Sequence, residues 1–238
     1  NGDPRFARSL ARAALAGAPD PAIPAPEPEA DGGTARLAAC VRQTAFGLAL
    51  DRTGFRRAHP RDALRVAGVA CLAASGTRRP PRTPALRALC DHLAGEADVQ
   101  ATLAGAHILA HGDTILWGRT AGEMTRAGAR DLVLEAGAAG VFDGRYEIQA
   151  EGPATVTRLA GRIARLSAAS RAGLEAVPPA FRGGLPVVER ADGVHLAWSP
   201  GSGVRLRPLA LGRLSAACGG VASESGLTGW PRGRAARP

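Results

Sequence analysis

The stretch VQATLAGAHILAHGDTILWGR, residues 99–119, decides the fold class. Two apolar-rich runs, 101–110 and 114–118, flank His111-Gly112-Asp113, and a turn-forming cluster between two such runs is a hairpin signal. Periodic segments before it have helical spacing, and most segments after it have the length and punctuation of strands. The sequence therefore predicts an α+β chain, a small helical domain at 34–97 followed by a mixed β-rich C-terminal domain at 98–218.

Upstream, three segments carry the helical period. Residues 34–50, TARLAACVRQTAFGLAL, place Leu37, Val41, Ala45 and Leu48 on one face. Residues 60–75 open with Pro60 and the acidic Asp62, which suits a helix start. Residues 83–94 have Thr83 at the N-cap, Pro84 at the first helical position and Gly95 as a stop. A basic turn, GTRRPPR at 76–82, joins the last two. Ahead of them, APDPAIPAPEPEADGG at 18–33 is a linker, because repeated proline removes backbone donors and bars a helix interior. Residues 1–17 hold one more helix, with Phe6, Leu10 and Ala14 on one stripe and Arg5, Arg8 and Arg12 on another.

Downstream, DLVLEAG, VFDGRYEIQA and ATVTRLAG are short strands separated by glycine. Residues 157–173 have helical spacing, and LPVVERADGVHLAWSPG at 185–201 is a second hairpin turning at Asp192-Gly193. The tail at 219–238, rich in glycine, serine and arginine, is expected to be loose.

All 30 basic residues are arginine, against 21 acidic ones, for a net charge of +9 over 238 residues. A chain without lysine has no Walker-type phosphate-loop lysine, no Schiff base and no catalytic lysine. A GC-rich coding sequence accounts for arginine in place of lysine; a surplus of arginine over acid points instead to a polyanion such as RNA. Cys40, Cys71, Cys90 and Cys218 form no C-x-x-C pair, and three of them lie among alanines and leucines, as small buried hydrophobes do. No apolar run approaches the roughly 18 residues of a membrane span, and the charged start is unlike a signal peptide, so the expected compartment is the cytoplasm.

Chemistry-bearing motifs are sparse. There is no G-x-S-x-G, and Ser202 in Gly201-Ser202-Gly203 has the setting of a turn serine. His107 and His111 would meet at one metal ion only on a helix; on a strand they stand roughly 13 Å apart. No catalytic and no metal-ligating residue is assigned. Asp143-Gly144-Arg145-Tyr146-Glu147 reads as a tight turn leading into a strand on which Arg145 and Glu147 share a face and can pair; the alternative reading has Arg145 grip a phosphate. The densest charge is at 157–166, TRLAGRIARL, where a helix would align Arg158, Arg162 and Arg165 opposite Leu159, Ile163 and Leu166. Phosphate oxygens are natural partners for such a stripe. Arg78, Arg79 and Arg82 form a second basic cluster.

Taken in order, these pieces resemble the tRNA(Ile)-lysidine synthetase family. Asn1, Asp3, Phe6, Arg8 and Arg12 match the segment that closes that family's catalytic domain, while Ser9 departs from its asparagine. GTRRPPRTPALRALCDHLAG, the strand at 102–105, VFDGRYEIQA with Phe142 where the family has tryptophan, and LPVVERADGVHLAWSPG continue the resemblance. The resemblance implies an ATP-dependent carbon–nitrogen ligase that adenylates the wobble cytidine of isoleucine tRNA and joins lysine to it. ATP and magnesium belong to an S-G-G-x-D-S domain, a motif this chain does not contain. On that reading the chain is the tRNA-binding C-terminal part, inactive alone, with Arg8, Arg12, Arg78, Arg79, Arg82, Arg158, Arg162 and Arg165 as the tRNA-facing residues. A ligase fragment or half of a split enzyme, an autonomous structured-RNA-binding module, and a protein-interaction domain whose arginines reflect genome composition remain the alternatives.

Overall fold

A computed structural model describes residues 32–166, 168–190 and 193–219. The described residues belong to one compact unit that begins at Gly32. The helix expected at 4–16, Arg8 and Arg12, nearly all of the proline-rich linker and the tail beyond Gly219 lie outside the described residues. Helices and antiparallel sheets make up the fold, which is α+β.

The elements in chain order begin with α1 (Gly33–Ala39), β1 (Arg42–Gln43), β2 (Gly47–Asp51), α2 (Arg52–Arg57), α3 (Pro60–Ser75) and α4 (Thr83–Ala94). The deciding stretch then gives β3 (Val99–Leu103), β4 (Ala106–His111) and β5 (Thr114–Gly118). The predicted hairpin is present, with His111 opposite Thr114 across Gly112-Asp113. The apolar run ahead of it splits in two at Ala104-Gly105, both of which have positive φ, 50° and 79°, as a two-residue hairpin turn of this hand demands.

The helix expected over 34–50 is corrected to α1 followed by two strands. The GLAL run of β2 is buried on both faces between β1 and β5, so its apolar residues are continuous, and periodicity cannot tell such a strand from a buried helix. Gly47 settles the pairing: a Cβ there would lie 2.1 Å from the Trp117 carbonyl oxygen, so only glycine lets the strands approach. The first sheet has the order β1-β2-β5-β4-β3. It therefore draws strands from both sides of residue 97, and the boundary expected at 97/98 runs through one shared core.

Helices α1, α3, α4 and a late helix α8 (Ala210–Ala217) cover one face of this sheet, meeting Leu48, Leu50, Ile108, Ile115 and Trp117. Helix α3 is capped at both ends: the His59 ring accepts from the Arg61 N–H, Pro60 takes the first turn, and Gly76 closes it with φ 69°. Its buried alanines let the sheet approach closely. Helix α4 starts at Thr83 itself, with Arg82 in the capping position, one residue from expectation. Leu109, Leu116 and Phe46 face the other side of the sheet, where Phe181 stacks on Phe46 at 4.6 Å between centroids.

The rest of the chain forms α5 (Ala121–Arg126), β6 (Leu132–Leu134), β7 (Ala139–Phe142), β8 (Tyr146–Ala150), β9 (Ala154–Arg158), a 3-10 turn (Ile163–Arg165), α6 (Ala168–Ala172) and α7 (Pro179–Arg182). Strands β10 (Pro186–Arg190), β11 (Gly193–Leu196) and β12 (Val204–Pro208) follow, and α8 closes the described chain. A four-stranded sheet runs β11-β10-β9-β6 and a three-stranded one β12-β8-β7. The second predicted hairpin is thus present as β10 and β11, its residues 191–192 lying outside the described ones.

Residues 157–173 are not one helix. Thr155-Val156-Thr157 continue a strand held between β6 and β10, and Gly161 at φ 79° turns the chain away. Beta-branched residues prefer that pleated, half-buried setting.

Candidate nucleic-acid interface

Loss of the helix over 157–166 dissolves the expected arginine stripe, but the turn that replaces it draws two of the three arginines into a cavity. The cavity, of about 360 Å³, is lined by Met124, Ala129, Arg130, Asp131, Phe142, Thr157, Arg158 and Arg162. Arg158 comes from the end of β9, Arg162 from the turn after it, and Arg130 from the loop before β6. The Arg158 Nη1 donates to Thr125 Oγ1 at 2.8 Å. Arg162 donates through Nε to Glu189 on β10, and its Nη1 reaches the carbonyls of Arg158 and Ala160 at 3.4 and 3.3 Å. Arg165 stands beside it, 3.6 Å from the same Glu189. The stripe is therefore not free of acid, because Glu189 arrives from a strand that the local sequence does not show. Arg130 has no side-chain partner among the described residues, and no local signal in Ala129-Arg130-Asp131 announces its role.

Behind the cavity floor lies a buried charge cluster. Asp143 Oδ1 accepts from Arg119 Nη1 at 2.5 Å and its Oδ2 from Arg145 Nε at 2.7 Å, with all three side chains only 3–4% exposed. Arg119 also donates to the Ser75 carbonyl at 2.7 Å and Arg145 to the Gly184 carbonyl at 2.6 Å. The cluster thus ties the end of β5, the end of α3, the β7–β8 turn and the approach to β10. Its second Arg145 nitrogen lies 3.5 Å from the Met124 sulfur, which lines the cavity. Two cations against one anion leave a positive charge under that wall. Burial lowers the proton affinity of the Arg119 guanidinium, and the Asp143 carboxylate partly restores it. The pairing expected between Arg145 and Glu147 is corrected here: Arg145 turns inward to Asp143, and Glu147 pairs with Arg207 on β12.

A second basic surface surrounds the 76–82 turn. Arg78, Arg79 and Arg82 are exposed there, as the sequence suggests. Thr77 Oγ1 donates to the Ala104 carbonyl at 2.9 Å, and Gly76 packs so closely on Asp143-Gly144 that a Cβ would lie 2.4 Å from the Asp143 oxygen. Arg213 on α8 donates to the Gly144 carbonyl, so it joins this surface from about 130 residues away in sequence. The described residues thus carry two basic surfaces, with Arg158, Arg162 and Arg165 at one and Arg78, Arg79 and Arg82 at the other.

Other candidates have structural roles. His107 and His111 both lie on β4, as the strand reading requires. His111 pairs with exposed Asp98 at 2.7 Å, whereas His107 is buried edge-on to Phe181 with Nδ1 3.2 Å from Thr102 Oγ1. Desolvation lowers the His107 pKa below its ordinary value. Ser202 is buried and donates within its turn to the Ala197 and Val204 carbonyls. Cys71, Cys90 and Cys218 are buried free thiols, and burial pushes Cys71 up to about 12 and Cys90 up to about 11. Among the described residues no three His, Cys, Asp or Glu side chains group so as to hold a metal ion, and no helix is long and apolar enough to cross a membrane.

These features define an α+β protein that gathers guanidinium groups at two places on its surface. Over 195 residues, 81% of the chain, it is 40% identical to a tRNA(Ile)-lysidine synthase from Caulobacter vibrioides. The chain spans 43% of that relative's length. No protein-family model matches the chain. The match agrees with the resemblance drawn from the residues: the chain is a relative of the tRNA(Ile)-lysidine synthases.

Proposed function

We propose that this chain is the tRNA-holding portion of a cytoplasmic, tRNA-modifying carbon–nitrogen ligase that converts the wobble cytidine of isoleucine tRNA to lysidine. ATP and magnesium are assigned to the family's S-G-G-x-D-S domain. What the described residues would contribute is position: guanidinium groups set on rigid sheets hold phosphates in one register, so that a distant nucleotide is presented at a fixed place. The observation that carries the reading is the alignment with tRNA(Ile)-lysidine synthase along 195 residues, joined to surface arginines held by a folded core.

A filter-binding titration of tRNA against salt tests it. Affinity should fall steeply with salt, and the double substitution Arg158→Glu with Arg162→Glu should weaken binding and flatten the slope by about 1 for each phosphate that an arginine no longer neutralises. The double substitution Arg78→Glu with Arg79→Glu should act the same way on the second surface. No tRNA retention by the wild-type chain at about 50 mM salt would refute the proposal.

A further inference from the structure

We propose that the cavity between Arg130, Arg158 and Arg162 receives a phosphate monoester, and that its occupant is the 5′-terminal phosphate of the bound RNA. The inference rests on the tRNA-holding reading above and adds which chemical group enters the cavity.

Shape and charge carry it. A phosphodiester within a duplex bears one negative charge and exposes two oxygens along a ridge, so side chains standing on an open surface suffice to contact it. A terminal monoester bears about −1.5 to −2 charges and three free oxygens, and it can enter a concavity. Here guanidinium groups from three separate segments converge on one cavity, whose lining includes a single carboxylate, Asp131. Two of them are pre-set, Arg158 by Thr125 and Arg162 by Glu189 and two carbonyls, while Arg130 is uncommitted among the described residues. Such an arrangement costs little to order when the anion arrives, and each guanidinium can present paired N–H donors to phosphate oxygens. The cation of the buried Arg119–Asp143–Arg145 cluster lies behind Met124 and adds to the same field.

One tRNA transcript prepared with a 5′-monophosphate and with a 5′-hydroxyl tests the proposal in the same filter-binding assay. Loss of the phosphate should weaken binding about ten- to hundredfold. Arg130→Gln, at an exposed position, should weaken the phosphorylated RNA alone and bring the ratio of the two affinities close to one; Arg158→Gln should do likewise. Equal affinity of the wild-type chain for the two RNAs overturns the inference and leaves the tRNA-holding reading standing. Binding of neither RNA overturns that reading as well. ATP is the other source of the same chemistry: ATP that competes with both RNAs alike, with no difference between them, assigns the cavity to free nucleotide and overturns the proposal.

Discussion

Replacing Asp143 with asparagine removes one charge from the cluster beneath the cavity and leaves its shape intact. Asp143 sits at φ 51°, a left-handed conformation that asparagine also tolerates, so the backbone is not the variable. Its two oxygens each accept one arginine, at 2.5 and 2.7 Å, and none of the three side chains is more than 4% exposed. An amide keeps one acceptor oxygen and turns a donor toward the other guanidinium. Two buried cations then face each other without an anion, and breaking a buried ion pair in this way costs about 3–5 kcal/mol. For a chain of this size each kcal/mol lowers Tm by about 2–4 °C, so a fall of about 6–20 °C is expected. Circular dichroism melts and urea titrations measure it. Glu151→Gln is the control, since its partner Arg205 is 80% exposed and the pair should contribute well under about 1 kcal/mol. Arg119→Met combined with Asp143→Asn should cost less than the two changes summed, because the second cation is then gone. An Asp143→Asn protein within about 1 kcal/mol of wild type would refute the reasoning, because that is the range of an exposed pair rather than a buried one.

Arg52, fully buried, donates to the Leu93 and Ala97 carbonyls at 2.9 and 2.7 Å and more weakly to His92, Glu96 and Gly112, so Arg52→Leu should lose about 3–5 kcal/mol in urea unfolding. Arg52→Lys should recover only part of that, because the planar fork is gone. Cys40 is exposed and the other three thiols are buried, so a disulfide reagent at pH 8 should modify one thiol quickly in the native chain and four after denaturation; fast reaction at Cys71 would contradict its burial. The folded state resists protonation of His107, so between pH 7.5 and 5.5 the unfolded chain binds more protons at this site and stability falls as pH drops through 6.5, the ordinary value. His107→Gln should lose less stability over that interval, and equal losses measured by urea midpoints would show that another group governs it.

Much of the fold was legible because local signals were strong. Pro60, Asp62 and Gly76 bracket α3 with cap chemistry, and Gly112-Asp113 marks the central hairpin, so both elements stand where the sequence puts them. The helix expected over 34–50 fails at 47–51 for one reason: that strand lies inside a sheet and is buried on both sides, which erases the alternation that distinguishes a strand. ATVTRLAG, read as a strand, does form one at 154–158. The candidate site was half legible. Arg158 and Arg162 were singled out for their density, but the geometry that unites them is a turn at Gly161 rather than a helical face. Arg130 and Arg213 carried no local mark, since each joins a surface only through contacts with distant segments.

The sequence by itself determined the α+β class, the all-arginine charge of +9, the capped helices, the glycine turns and the kinship with tRNA(Ile)-lysidine synthases. Tertiary structure alone decided which arginines face inward and which face solvent. Arg52, Arg119 and Arg145 are buried, while Arg78, Arg79, Arg82 and Arg130 are exposed, and nothing in their neighbours along the chain separates the two groups. The reason is physical: a guanidinium can be buried only where carbonyls or a carboxylate from elsewhere in the fold replace its water. Those partners, Leu93 and Ala97 for one arginine and Asp143 for two others, lie tens of residues away in two of the three cases.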